Sequence, residues 1–214
     1  MNKVLSFLIA TVALGVSMSA ARAQDAKAGE KKAAMCIGCH GIPGYQASFP
    51  EIHKVPMISG QGAKYIVASL AAYKKGERKH PTMKAISASL SDQDMADLGA
   101  FYAAQAAPAP AAPLPAPSPA VAELLKKGNC ASCHGENYAK PIDPSYPKLA
   151  GQHPDYLYVA LKAYQTENNP QVGRANAIMG GIAKQFTTRE LKLLANYIGS
   201  LPTELQVVAQ SRWR

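Results

Sequence analysis

Large apolar side chains and aromatic residues are scarce in this sequence of 214 residues. Aromatic residues make up 7%, and although 48% of the residues are hydrophobic, 38 of the 214 are alanine, which buries little surface. Small domains of this composition usually need a disulfide, a metal or a cofactor to be stable. With only 17% charged residues, no triplet glycine period and no sustained heptad, disordered, collagen-like and coiled-coil classes are excluded.

The first 23 residues have the pattern of a cleaved secretory signal. A lysine precedes an apolar run from Val4 to Val16, and Ala21 and Ala23 form the small-x-small pattern at which a signal peptidase cuts. The alternative is a membrane anchor, but the run is too short to span a bilayer comfortably. We therefore expect cleavage after Ala23 and export to the periplasm, with the net charge of +9 reduced to +7 by the loss of two basic residues.

A proline-rich segment divides the remaining chain. Residues 106–120 are alanine and proline apart from one leucine and one serine. Such a run cannot continue a helix or a sheet ladder and is typical of a semi-rigid spacer. The sequence therefore predicts a first domain over residues 24–105, a linker over 106–120 and a second domain over 121–214.

The two flanking regions carry the same series of motifs, which indicates an internal duplication. Corresponding segments lie between 91 and 96 residues apart, and the small drift is what loop insertions between retained elements produce. The matched pairs are Cys36–His40 with Cys130–His134, Pro56–Gln61 with Pro147–Gln152, Tyr65–Tyr73 with Tyr156–Tyr164, and Met83–Ile86 with Met179–Ile182.

Each copy is predicted to be helical, so the fold class is all-α. Apolar residues recur at helical spacing, a Ser or Thr cap signal precedes the last helix of each copy, and no segment shows a convincing alternating strand pattern. The predicted helices are residues 26–36, 63–75 and 91–105 in the first copy, and 121–127, 155–164 and 188–201 in the second.

The repeated Cys-x-x-Cys-His motif carries the chemistry. Its two thiols lie about one helical turn apart, so both can form thioether bonds to the vinyl groups of one haem, and the adjacent histidine then reaches the iron. This spacing is the recognised attachment signature of c-type haem. The residues assigned to attachment are Cys36, Cys39, Cys130 and Cys133, and those assigned as iron ligands are His40 and His134.

Three other interpretations of the cysteines are weaker. A four-cysteine zinc site needs its second cysteine pair about 15 to 20 residues further on, whereas Cys39 and Cys130 are 91 residues apart. A redox-active dithiol belongs at a strand-to-helix junction, and no such pattern is present. Structural disulfides are possible in an exported chain, but they do not explain a histidine at the same position twice.

The sixth iron ligand is predicted to be a methionine in each copy. Met179 is the only methionine after residue 120, and Met83 is its counterpart in a loop before the last helix. A methionine that only packs in a helix core is the general alternative. The remaining candidates are Met35, Met57 and Met95, whose repeat equivalents are Asn129, Lys148 and Leu191, and the histidines His53, His80 and His153, which we expect at the surface.

With these residues the sequence resembles the class I cytochromes c, and the tandem arrangement resembles the dihaem cytochrome c4 family. The resemblance covers nearly the whole exported chain and includes the Gly-Gln-x-x-x-Tyr segments at Gly60 and Gly151. It implies two domains, each a few helices wrapped around one covalently attached haem. It also implies that the carbonyl groups of Pro56 and Pro147 accept hydrogen bonds from the two ligand histidines. One departure is Glu123, which stands where the first copy has Gly29, the residue expected at the helix crossing.

The resemblance implies an electron carrier of the periplasm rather than an enzyme. Such proteins pass single electrons between respiratory complexes, from a quinol-oxidising cytochrome complex toward a terminal haem-copper oxidase. The residues favour this function independently, because iron held by His and Met has no free position for substrate, and a thioether ligand raises its potential.

Two alternatives to the free carrier remain. A dihaem enzyme such as a thiosulfate dehydrogenase or a peroxidase needs an open iron site or a cysteine ligand, and the four cysteines are all used for attachment. The other alternative is the cytochrome subunit of a sulfur-oxidising or other dehydrogenase complex. Its haem chemistry would be the same, so the sequence does not separate it from a free carrier.

Both domains are modestly basic. Residues 24–106 carry a net charge of +3 and residues 121–214 a net charge of +4. The positive charge either steers the protein to acidic patches on redox partners or only keeps it in solution. It also favours peripheral contact with anionic lipid, whereas nucleic acid is not expected as a partner of an exported protein.

Overall fold

The structure is a computed structural model that describes residues 24–108 and 113–209. The predicted signal at residues 1–23 lies outside the described residues. Ten helices and four two-residue strands are present in the described part of the chain. The helices are α1 (Ala26–Lys32), α2 (Ala34–His40), α3 (Ala63–Lys75), α4 (Pro81–Ala88), α5 (Asp92–Ala103), α6 (Pro119–Gly128), α7 (Ala131–His134), α8 (Pro154–Gln165), α9 (Ala177–Ala183) and α10 (Thr188–Gly199), and the strands are β1 (Gln46–Ala47), β2 (His53–Lys54), β3 (Arg78–Lys79) and β4 (Gly173–Arg174).

The helical prediction is confirmed in its main features. The helix predicted over residues 63–75 is α3, and the Ser and Thr cap signals form capping boxes at the starts of α5 and α10. In each box the cap hydroxyl accepts from the third residue of the helix, and that residue's carboxylate accepts from the cap backbone.

Three local predictions were wrong. The helix expected over residues 26–36 is broken at Ala33, whose ψ of −6° tightens the turn, so that a separate helix, α2, carries the first motif. Helix α6 begins at Pro119, inside the expected linker, because proline suits the first position of a helix and Ser118 caps it. The four strands were not predicted, since two residues show no periodicity.

Each domain has its own core. In the first, α1 and α3 pack against α5 around Met95 and Leu98, which are almost completely buried. In the second, α8 packs against α10, and Leu191 and Leu194 occupy the equivalent positions.

The two domains face each other across an approximate two-fold axis. β3 of the first pairs with β4 of the second in antiparallel register, while β1 pairs with β2 within the first domain. The side-chain amide of Gln61 bonds both backbone groups of Lys148, at 3.0 and 2.9 Å. Gln152 bonds those of Met57 in the same way, at 2.9 and 3.0 Å. These reciprocal bonds relate repeat-equivalent residues, so the interface itself follows the duplication.

The segment after α10 also crosses to the first domain. Gln206 forms a β-bridge with Ser59, and its side-chain amide donates to the Gln105 carbonyl at 2.7 Å. Leu205 is buried beside it. Before the linker, Ala107 N–H donates to the Glu204 carbonyl at 2.8 Å, which brings the start of the linker against this returning segment.

Candidate functional site

The first Cys-x-x-Cys-His motif lies on the short helix α2. Cys36, Cys39 and His40 occupy its last turns, which places the two thiols one turn apart on the same side of the helix. Both cysteines are free thiols and half-buried. Burial raises the pKa of the Cys36 thiol.

His40 is held by a backbone carbonyl. Its Nδ1 donates to the Pro56 carbonyl oxygen at 2.8 Å, so the proton is on Nδ1 and Nε2 keeps its lone pair for a metal. Burial lowers the pKa of His40, which favours the neutral imidazole that binds iron.

Met83 and its neighbours line the same cavity as His40. Met83 lies in the first turn of α4, where its backbone N–H donates to Nδ1 of His80 at 3.4 Å. The loop position predicted for Met83 was therefore wrong. Pro81 at the first helical position and the His80 cap start a helix here, and this short helix fixes the backbone from which the thioether projects.

The second site repeats the arrangement with shorter elements. Cys130 is the N-cap of α7, and Cys133 and His134 end that helix. Nδ1 of His134 donates to the Pro147 carbonyl at 3.1 Å. Burial lowers the pKa of His134 as it does that of His40.

Met179 also lies on a helix rather than in the predicted loop. It is in the first turn of α9, and its backbone N–H donates to the side chain of Asn176 at 2.9 Å. The asparagine cap replaces the histidine cap of the first domain. Each predicted methionine thus sits three residues after a side chain that caps its helix.

A cavity of about 600 Å³ joins the two sites. Most of its wall is apolar, with Leu70 and Leu98 on the first-domain side and Leu157 and Leu194 on the second. The residues predicted to hold haem all line it: Cys36, Cys39, His40, Pro56, Met83, Cys130, Cys133, His134, Pro147 and Met179.

These surroundings fit haem rather than a bare metal ion. No group of three or more His, Cys, Asp or Glu residues within 24–108 and 113–209 is arranged to bind a metal directly. A wide apolar cavity with paired thiols and an oriented imidazole on its wall matches a porphyrin that brings its own four nitrogen ligands.

The alternative histidines are placed differently from one another. His53 was expected at the surface and is instead 5% exposed, with its ring nitrogen 2.8 Å from the Glu51 carbonyl oxygen. The surface prediction for His53 was wrong because the second domain covers it, with Tyr156 lying against its ring. His80 and His153 are half-buried, and each precedes a helix.

Residues between the two sites were not recognised from the sequence alone. Arg78 and Arg174 lie opposite each other in the β3–β4 pair and line the cavity, together with Tyr65 and Tyr156. The signal that could have found them is the duplicated Gly-Gln-x-x-x-Tyr segment, whose Gln and Tyr residues all reach the domain interface.

Comparison with known proteins agrees with this geometry. The Cytochrome c family model matches twice, over residues 26–103 and 120–202. The chain is 31% identical over 209 residues to cytochrome c4 of Pseudomonas aeruginosa, covering 94% of this chain and 100% of that protein. It is also 31% identical over 211 residues to a thiosulfate dehydrogenase electron acceptor of Stutzerimonas stutzeri, covering 91% of this chain and 94% of that protein.

A solved structure shares the architecture. The crystal structure of reduced recombinant cytochrome c4 from Pseudomonas stutzeri superposes with a TM-score of 0.62 at 28% identity, covering 84% of this chain and 100% of that one. No helix in the described part of the chain is long and apolar enough to cross a membrane. The chain therefore belongs to the cytochrome c family, as a dihaem electron-transfer cytochrome of two tandem domains.

Proposed function

We propose that each domain attaches one haem through its two cysteines and holds the iron between a histidine and a methionine. The observation that carries this assignment is the single cavity on whose wall both sets of residues lie. The attachment residues are Cys36, Cys39, Cys130 and Cys133, and the axial ligands are His40 with Met83 and His134 with Met179.

Bound haem c supplies reversible one-electron chemistry at iron. The residues of this chain determine how that chemistry is used. His40 and Met83 would hold the iron of the first domain, which would leave no position for substrate, and the thioether would favour the reduced iron. The carbonyls of Pro56 and Pro147 fix the two imidazole rings and tune their basicity.

The whole protein is proposed to act as a periplasmic carrier of single electrons. It would take electrons from a quinol-oxidising cytochrome complex and pass them toward a terminal haem-copper oxidase. The net charges of +3 and +4 on the two halves support docking to acidic surfaces of such partners and peripheral contact with anionic lipid. The proposal includes export with cleavage after Ala23 and a first domain over residues 24–105. Because α6 begins at Pro119, the second domain is proposed to begin there rather than at residue 121, and the linker to end at Ser118.

A second candidate is an electron acceptor for a sulfur-oxidising dehydrogenase. It is favoured by the similarity to the thiosulfate dehydrogenase electron acceptor, which extends over nearly the whole of both chains. The two candidates share the same haem chemistry and differ only in the protein that donates the electron.

The ligand assignment is tested with methionine variants of the holoprotein. Oxidised wild-type protein should show the sulfur-to-iron charge-transfer band, and Met179→Ala should lose about half of it, because one of the two His/Met irons loses its thioether. Met35→Ala is the matched control, since Met35 is 53% exposed, and it should keep the full band. A full band in Met179→Ala would reject the assignment.

The carrier function is tested by stopped-flow kinetics. Reduced protein is mixed with a purified haem-copper oxidase, and oxidised protein with a quinol-oxidising complex or with a thiosulfate dehydrogenase and its substrate. Rapid oxidation by the oxidase that slows as salt is added supports the proposal. Rapid reduction by the thiosulfate dehydrogenase, with negligible reduction by the quinol-oxidising complex, would select the second candidate. Turnover of thiosulfate or peroxide by the protein alone would reject both.

A further inference from the structure

A short segment after the last helix leaves the second domain and lies against the first. Residues 203–208 follow α10 and lie beyond residue 202, where the second match to the Cytochrome c family model ends. Within this segment Gln206 forms an antiparallel β-bridge with Ser59 of the first domain. We call residues 203–208 the latch, because they join one domain to the other at a place separate from the linker.

Hydrogen bonds attach the latch to the first domain and to the start of the linker. The backbone N–H of Gln206 donates to the Ser59 carbonyl at 3.1 Å, and its side-chain amide donates to the Gln105 carbonyl at 2.7 Å. The Ala107 N–H donates to the Glu204 carbonyl at 2.8 Å. Ser59 is 2% exposed, so its carbonyl would lose its partner without gaining water if the latch were displaced only slightly.

The latch also contacts the second domain, and it passes over the same glycine of both repeats. The Glu204 carboxylate lies 2.7 Å from Lys148 Nζ. A Cβ at Gly151 would be 2.4 Å from the Thr203 side chain, and a Cβ at Gly60 would be 2.5 Å from the Glu204 carbonyl oxygen. Both glycines have positive φ, and their missing side chains leave the space through which the latch crosses.

The latch is fastened directly behind the wall of the cavity that joins the two sites. Each of the two glycines precedes a glutamine, Gln61 or Gln152, that bonds the backbone of the other domain. Both glutamines line the cavity, and so do their partners Met57 and Lys148. Leu205, in the middle of the latch, is 4% exposed. The latch therefore adds hydrogen bonds and buried apolar surface where the domains meet beside the haem sites.

The proline-rich linker does not fix the domains in this way. A semi-rigid spacer of this composition keeps the domains near each other, which favours their association but does not determine their orientation. Near its far end, the linker contacts the second domain where the Tyr197 hydroxyl donates to the Pro115 carbonyl at 3.1 Å. Its start is bonded to the latch through Ala107 and Glu204. The position of the linker thus depends in part on the latch.

We propose that the latch holds the two domains in the closed arrangement in which both haem sites face one cavity, and that it thereby sets the rate of electron exchange between the two haems. Leu205 and Gln206 are its positioning residues, which act through the arrangement of the domains and not on the iron. Electron exchange falls steeply as the gap between two haems widens, so domains that separate about the linker exchange electrons slowly. The proposal rests on the proposed attachment of one haem to each domain and is independent of the redox partner.

The first test compares a holoprotein that ends at Pro202 with one that ends at Ala209, which keeps the latch. Amide hydrogen exchange is followed by NMR in the fully reduced state at Met57 and Lys148, whose N–H groups donate across the interface. Both amides should exchange at least about tenfold faster in the shorter chain, because the lost hydrogen bonds and the loss of buried Leu205 shift the opening equilibrium by at least that factor. The chain that ends at Ala209 should exchange as the wild type does.

The second test uses a point variant and measures electron exchange directly. Gln206→Pro removes the N–H that bonds Ser59 and the side-chain amide that bonds Gln105. Magnetisation-exchange NMR of the haem-methyl signals in half-reduced holoprotein gives the rate of exchange between the haems. This rate should fall about threefold or more in Gln206→Pro and in the chain that ends at Pro202, because only closed molecules exchange rapidly. The matched control is Ala209→Pro, at the exposed end of the segment, which should keep the wild-type rate.

Three results would overturn the proposal. Unchanged amide exchange at Met57 and Lys148 in the chain that ends at Pro202 would show that the latch does not hold the interface. An equal acceleration at Leu194, in the core of the second domain, would show that the segment only completes the fold of that domain. An unchanged rate of electron exchange would show that the latch does not position the haems. The sulfur-to-iron band, recorded on each variant, reports methionine ligation separately, so failure of the ligand assignment can be distinguished.

Discussion

The two domains bring the same haem-binding residues together with different helix crossings. In the first, Gly29 of α1 lies directly on α5, and a Cβ at Gly29 would be 2.1 Å from the Asp97 carbonyl oxygen. The buried carboxylate of Asp97 accepts from the Asp25 N–H at 3.0 Å and from Lys32 Nζ at 2.8 Å. The crossing is thus a close backbone contact fixed by a polar network.

The second domain makes this crossing with apolar side chains. Glu123 and Leu193 occupy the positions of Gly29 and Asp97, and both are exposed. Helix α6 packs instead through Val121 and Leu124. The outer helix crossing has therefore changed after duplication, whereas the residues that line the cavity and the domain interface are retained.

The largest expected effect follows from removing one haem at a time. Cys36→Ser with Cys39→Ser, and separately Cys130→Ser with Cys133→Ser, should each unfold the domain that loses its attachment. A domain of this size with few large side chains lacks a sufficient core without the porphyrin. Far-UV circular dichroism should lose roughly half of the helical signal in each variant. An unchanged helical signal would show that the domain folds without its haem.

The helix crossing is compared directly by Gly29→Ala and Glu123→Ala. Gly29→Ala should cost about 3 kcal/mol or more of the free energy of unfolding, because the new methyl group overlaps the backbone of α5. Glu123→Ala, at the matched exposed position, should change it by less than about 0.5 kcal/mol. Thermal unfolding of the two holoproteins measures both. Equal effects would mean that the two crossings are alike.

The two halves of the domain interface should contribute equally to the free energy of unfolding. Gln61→Ala and Gln152→Ala each leave a backbone N–H and C=O of the other domain without partners, at a cost of about 2 kcal/mol. The exposed control Gln171→Ala should change the free energy of unfolding by less than about 0.5 kcal/mol. Guanidinium unfolding of the holoproteins provides the values. A difference of more than about 1 kcal/mol between the two interface variants would contradict the approximate two-fold relation.

The smallest effect concerns acid stability. Lys32 and the Asp25 N–H lower the pKa of Asp97. The carboxylate therefore stabilises the first domain above its ordinary pKa of about 4, and this contribution is lost as the pH falls through the lowered folded-state value. The second domain has Leu193 at this position. Thermal melts between pH 7 and 2 should show the first domain losing more stability, and Asp97→Asn should reduce the difference. A difference that persists in Asp97→Asn would exclude this carboxylate as its source.

The features that were predicted correctly depend on residues close together in the chain. The all-α class, the two tandem cytochrome c domains and the two haem c groups are confirmed. Helix α3 has the predicted bounds because its apolar spacing and flanking glycines are local. The ligand roles of Met83 and Met179 remain predictions, although both residues reach the cavity.

What the sequence did not predict depends on residues far apart in the chain. His53 is buried because a helix of the other domain covers it, and the Arg78–Arg174 pair exists only when the two copies face each other. Two-residue strands carry no period from which they could be recognised. The methionine helices were missed because a histidine cap and an asparagine cap, read alone, are weak signals.

We propose that one chain holds two His/Met-ligated haems that exchange single electrons. A coulometric titration of the purified holoprotein, followed in the haem absorption bands and the sulfur-to-iron band, tests it most directly. We predict two electrons per chain in one-electron steps, with the sulfur-to-iron band developing in proportion to oxidation of both haems. Uptake of one electron per chain, or a high-spin oxidised haem without the band, would contradict the claim.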